Sequence, residues 1–154
     1  MKEKVAPIPE DYRGAIPYLN VKDGARAIEF YKNAFGAREV IRIPRQGGKL
    51  GHGEVRIGEA PILLRDEIPE MNFRSPESVG GTPVQILNYV NDVDALVKQA
   101  EAAGAKVISP TTEQFHGDRM AVLEDPFGHS WFFATRIEDF SPEEMKKRAA
   151  DWGI

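Results

Sequence analysis

Cysteine is absent from the 154 residues of this chain. Disulfides, thiolate-held zinc and a cysteine nucleophile are therefore excluded. Histidine is scarce, with only His52, His116 and His129, so an imidazole-built metal site starts with few ligands. No stretch approaches the roughly 18 consecutive apolar residues of a membrane-spanning helix. The segment Met1 to Tyr12 is charged, contains Pro7 and Pro9, and lacks the apolar run of a secretory leader. The expected location is the cytoplasm, without a membrane partner. Positive charge is not in excess: 20 Lys and Arg face 24 Asp and Glu, a net charge of −4. That balance argues against a nucleic-acid partner, and no basic stretch carries interleaved aromatics. Gly47-Gly48-Lys49 lacks the spacing of a phosphate-binding loop, and no Gly-x-Ser-x-Gly elbow occurs.

What is present is the material of an ordinary globular domain, 42% hydrophobic and 29% charged. Its organisation is a repeat. Residues 15–21 alternate as a strand. Asp23 suits a helix N-cap, Ala27, Ile28, Tyr31 and Phe35 share one helical face, and Gly36 suits the stop. Three short runs follow, at 39–43, 51–57 and 61–65, separated by glycine-rich turns. The stretch 68–82 reads as a linker without periodicity. The same order then returns: a strand at 84–90, Asp92 as cap, a helix over 93–103, Gly104, and strands at 106–109, 119–123 and 130–135. Asp125-Pro126-Phe127-Gly128 is a tight turn between the last two. Val21 and Asp23 match Val90 and Asp92 at an offset of about 69 residues. Ser141-Pro142-Glu143-Glu144 opens a final helix with a capping box. The predicted parts are an N-terminal extension (1–13), a βαβββ module (14–67), the linker (68–82), a second βαβββ module (83–137) and a C-terminal helix (138–154). The fold class is α+β.

Several phrases in this order carry a family likeness. They are Pro17-Tyr18-Leu19-Asn20-Val21, Ala27-Ile28-Glu29-Phe30-Tyr31, Ala34-Phe35-Gly36-Ala37 and Glu124-Asp125-Pro126-Phe127-Gly128-His129. Together they resemble the vicinal-oxygen-chelate superfamily, which includes glyoxalases, bleomycin-resistance proteins and dioxygenases. Gly51-His52-Gly53-Glu54, Gly117-Asp118-Arg119 and the tail from Glu138 to Met145 look like its PhnB-like branch, with the bleomycin-resistance-like branch also close. The likeness covers roughly residues 14–150. It implies tandem modules forming a curved mixed sheet around a ligand cavity, and a homodimer. Fold does not fix function in such a family.

Metal-dependent members place four ligands on the first and last strands of the modules. By register these positions fall on Ile16, Leu63, Gln85 and Phe132. Three hydrocarbon side chains offer no lone pair, and one neutral amide is a weak ligand. A slip of one residue in either direction brings no better set. No metal or other cofactor is therefore expected, and the balance of residues lies against catalysis without deciding it. Alternation assigns Tyr18, Asn20, His52, Glu54 and Arg65 to the cavity side in the first module, and Gln85, Tyr89 and Phe132 in the second. Phe115 and His116 lie in a loop placed to touch ligand. His52 and Glu54, two apart on one strand, are the candidate acid–base pair. Arg119 beside Asp118 reads as a structural ion pair. The reading is a non-catalytic, small-molecule-sequestering homodimer. The alternative is a superfamily enzyme with an atypical site at His52 and Glu54, and a third reading is a scaffold that uses the C-terminal helix.

Overall fold

The expected element order is present twice. A computed structural model describes Met1 and residues 4–154; Lys2 and Glu3, within the N-terminal extension, lie outside the described residues. The first module contains β1 (Tyr18–Val21), α1 (Gly24–Phe35), β2 (Arg38–Pro44), β3 (Leu50–Ile57) and β4 (Ala60–Asp66). A connecting segment carries α2 (Pro76–Val79). The second module contains β5 (Gln85–Tyr89), α3 (Val93–Ala103), β6 (Lys106–Glu113), β7 (Asp118–Glu124) and β8 (Ser130–Arg136). The chain closes with α4 (Pro142–Asp151).

Local chemistry explains the helix ends. The Asp23 carboxylate accepts from the Arg26 amide at 3.1 Å, and Asp92 accepts from the Ala95 amide at 3.0 Å. Gly36 and Gly104 terminate the two helices at φ of 65° and 112°, where a Cβ would be strained. Ser141 caps α4 through its hydroxyl, 3.2 Å from the Glu144 amide.

Three boundaries differ from the sequence reading. β1 begins at Tyr18, three residues later than the strand read over 15–21. β6 runs on to Glu113, although Pro110 argues for a stop after Ser109. The strand tolerates the proline because it is the outer strand of its sheet and its register is irregular between Val107 and Thr112. The stretch 68–82 is not bare linker. It holds a 3-10 turn at Pro69–Met71 and the four-residue α2, each with proline in its first turn. Elements this short present no period to read. Glu67 fixes the second of them by accepting from the Ser75 amide at 2.7 Å and the Ser78 hydroxyl at 2.8 Å.

Both modules form a four-stranded mixed sheet of identical topology, β1-β4-β3-β2 and β5-β8-β7-β6. The β1–β4 and β5–β8 pairs are parallel, and the other pairs are antiparallel. One face of the first sheet, bearing Leu19, Val21, Val55, Ile57, Ile62 and Leu64, is buried under α1. The corresponding face of the second sheet buries Ala121, Leu123, Trp131 and Phe133.

α1 packs along α3, and its aromatic face reaches the second sheet. Phe35 lies 4.7 Å from Phe133 between ring centroids, and Tyr31 lies 5.4 Å from Trp131. A single hydrophobic core therefore crosses the module boundary. Asp125 bolts it. Its buried carboxylate accepts from Tyr31 Oη (2.6 Å), Trp131 Nε1 (2.9 Å) and the amides of Phe127 (2.9 Å) and His129 (3.0 Å). No helix among the described residues is long and apolar enough to cross a membrane.

Candidate functional site

With α1 and α3 covering one face of each sheet, strand alternation puts the remaining side chains on the helix-free faces. On the first sheet the register aligns two rows across the strands. One row is Tyr18, Leu63, Glu54 and Ile41. The next joins Asn20 to Arg65 on β4 and His52 to Ile43 on β2. All five residues assigned to this side of the first module therefore share one face.

Their contacts differ from the expected acid–base pair. The Tyr18 hydroxyl lies 2.7 Å from His52 Nδ1. Glu54, only 3% exposed, accepts from Arg56 Nε at 2.9 Å and from the Tyr12 hydroxyl at 2.5 Å. That hydrogen bond from Tyr12 to a carboxylate raises the tyrosine pKa. Among the described hydrogen bonds none joins His52 to Glu54; tyrosine orients the histidine, and arginine and tyrosine hold the glutamate. Arg65 donates from Nε to the Asn20 side chain at 3.0 Å. Its guanidinium carbon lies 4.2 Å from the Tyr18 ring centroid and 3.8 Å from that of Phe73. Tyr12 and Phe73 belong to the extension and the connecting segment, where no period assigns a face, so only the tertiary structure identifies them.

On the second sheet, Leu87 pairs with Phe132 and Phe132 with Val122. Gln85 and Tyr89 flank Leu87 on the same exposed side. Tyr89 also belongs to a polar cluster around Asp118. That carboxylate, 1% exposed, accepts from the Tyr89 hydroxyl and from Arg136 Nε, both at 2.5 Å. His116 Nδ1 lies 3.3 Å away. Burial pushes the Asp118 carboxyl up, but the hydrogen bonds from Tyr89 and Arg136 and the neighbouring positive charge outweigh it and leave the pKa lowered. The adjacent Arg119 is not the partner expected of it. Successive strand residues point to opposite faces, so Arg119 turns away and pairs with Asp94 at 2.8 Å. Phe115 lies against Trp152, with ring centroids 6.0 Å apart, and its carbonyl accepts from Arg148 Nε at 2.8 Å. α4 thus holds the hairpin tip that carries His116.

A cavity of about 620 Å³ lies between the free edges of β1 and β5. Ile16, Tyr18, Asn20, Gln85 and Leu87 line it, together with Arg74 and His129. His129 donates from Nε2 to the Asn20 carbonyl at 3.0 Å. The cavity lining brings Tyr18, Asn20 and Gln85 together, but not the remaining candidates.

The four positions that bear metal in metal-dependent proteins of this kind do not fit such an ion. Ile16, Leu63 and Phe132 are hydrocarbon, and Gln85 stands alone. Among the described residues no three His, Asp or Glu side chains come together as a metal-holding group. Glu54, across the ladder from Leu63, already has both oxygens engaged.

Comparison with known proteins agrees with this architecture. Uncharacterised proteins of Mycobacterium bovis and Mycobacterium tuberculosis are each 40% identical over 140 residues. The match spans 89% of this chain, 92% of the M. bovis protein and 82% of the M. tuberculosis protein. Among solved structures, TioX from Micromonospora sp. ML1 superposes with a TM-score of 0.64 at 25% identity, over 83% of this chain and 99% of that one. A gene product from Arabidopsis thaliana gives a TM-score of 0.64 at 27% identity, over 80% and 98%. Residues 15–133 match the sequence profile of the glyoxalase/bleomycin resistance protein/dioxygenase superfamily, and the chain belongs to that superfamily.

Proposed function

We propose that the protein is a small-molecule-binding member of the superfamily that works as a homodimer, holds its ligand unchanged and needs no resident metal. The observation that carries this reading is the chemistry of the helix-free faces. They expose apolar side chains, Ile41, Ile43, Leu87 and Tyr89 at 42, 46, 47 and 53%, around a few ordered polar groups. Such a mixture suits a ligand pocket once a second layer covers it. A second copy of the chain would supply that layer, setting the first module's face against the second module's face of its partner. The side chains at the four metal positions support binding without Lewis-acid chemistry, since three of them cannot coordinate an ion. The finer placement, in the PhnB-like or bleomycin-resistance-like branch, rests on the Gly51-His52-Gly53-Glu54 phrase and the tail after Glu138.

The test is a thermal-shift screen of the full chain against a broad library of small molecules, followed by recovery and mass analysis of the compounds that bind. Stoichiometric binding with the compound recovered intact is expected. Chemical conversion of a bound compound, lost in both His52→Ala and Glu54→Gln, would instead favour an enzyme with an atypical site.

A further inference from the structure

Four strand arginines, Arg42, Arg56, Arg119 and Arg136, each meet a carboxylate within 2.9 Å. The exposed Arg38 of β2 makes no such pair among the described residues, and neither does Arg65. Among the described residues its guanidinium makes no ion pair, and its single hydrogen bond is from Nε to the neutral Asn20 side chain. The two terminal nitrogens have no partner among the described residues. The group is nonetheless held firmly, with the rings of Tyr18 and Phe73 both close to its plane centre. A half-buried guanidinium positioned by three residues and left without a counter-charge is prepared for an incoming one.

His52 adds a second donor to the same face. Tyr18, the residue that stacks on Arg65, also engages His52 Nδ1, which leaves Nε2 available. Glu54, the carboxylate of this face on β3, is already engaged by Arg56 and Tyr12 and makes no ion pair with Arg65. This occurs in a chain of net charge −4, so the uncompensated positive charge is not a general property of the molecule.

We propose that Arg65, with His52 beside it, is the receptor for an oxyanion of the ligand, a carboxylate or a phosphonyl or phosphoryl group. The proposal rests on the binding function above and narrows it to organic anions. A planar guanidinium with free terminal N–H groups makes two parallel hydrogen bonds to such a group. Ile41, Ile43 and Leu63 then surround an apolar remainder.

The test is an NMR titration of the full chain, following the Arg65 Nε–Hε and His52 ring signals. Four probes share one apolar body: benzoate, phenylphosphonate, benzamide and benzamidine. Saturable shifts of both residues with benzoate or phenylphosphonate are expected, and the stronger of the two identifies the anion class. Benzamide and benzamidine should bind at least about tenfold more weakly, and added salt should weaken the anions. Arg65→Met keeps an apolar stem under the rings and should lose about tenfold or more in anion affinity. Arg65→Lys, which keeps charge without the fork, should fall between. Unchanged melting temperatures would show that the variants are folded. Equal binding of neutral and charged probes, or full anion affinity in Arg65→Met, would overturn the anion receptor and leave the binding function standing. No saturable response to either anion would overturn it too, whatever a wider library shows about binding itself.

Discussion

Asp125 concentrates more of the architecture than any other polar residue. Four donors converge on its buried carboxylate, and two of them, Tyr31 and Trp131, come from the shared core. Burial pushes the Tyr31 hydroxyl well above its usual pKa, and the nearby Asp125 charge adds to this, so the tyrosine stays a donor throughout the accessible pH range. Asp125→Ala would strand three buried donors, Tyr31 Oη, Trp131 Nε1 and the Phe127 amide, and should cost about 3 kcal/mol or more. Urea unfolding would measure the loss, and Asp125→Asn, which keeps one acceptor, should cost less. Asp118 adds a dependence on pH. Its folded pKa lies below the ordinary 3.8. The stability it contributes is therefore fully present above about pH 4 and is lost as pH falls through the lowered value. The stability gap between wild type and Asp118→Asn should shrink as pH falls below about 4. A gap that instead grows below about pH 4 would contradict the assigned contacts. Both roles show the limit of reading residues in sequence. Asp-Pro-Phe-Gly is legible as a turn because turn chemistry is local, but the partner 94 positions away is not.

At the scale of elements, what was legible is what repeats or has a period. Both capped helices, their glycine stops and the faces of β1, β3 and β4 follow from spacing and alternation. The 3-10 turn and α2 in the connecting segment were not legible, nor was the extension of β6 past Pro110, because short elements and irregular edge strands leave no periodic trace. The same gap hid Tyr12 and Phe73, which reach the candidate face from segments without a period. The shared face of the first module's candidate residues was legible from strand parity, whereas their hydrogen-bond partners were not. α4 offers a test at this scale. Its contacts run to the β6–β7 hairpin tip of its own chain, through Arg148 and Trp152, which makes it a clamp rather than a free docking arm. Deleting residues 141–154 should speed amide exchange at 114–117 while the β5–β8 ladder stays protected. Unchanged exchange at the tip would remove the clamp from the account.

At the scale of the whole molecule, the duplicated scaffold is complete while its polar groups have diverged. The first face carries Arg65, His52 and Glu54. The second carries Ala134, Met120 and Val122 at the corresponding positions, so the two faces are not equivalent. That asymmetry suits a cavity closed by one of each. Because Ile43 and Leu87 are exposed in the single chain, Ile43→Asp and Leu87→Asp should leave the melting temperature of the monomer nearly unchanged and shift the assembly toward monomer in light scattering. The most direct measurement of the central claim is native mass spectrometry of the full chain with a ligand found by screening. The account predicts a dimer that carries the intact compound and no metal. A monomer that binds the same compound, or a complex that contains metal and releases a converted product, would contradict it.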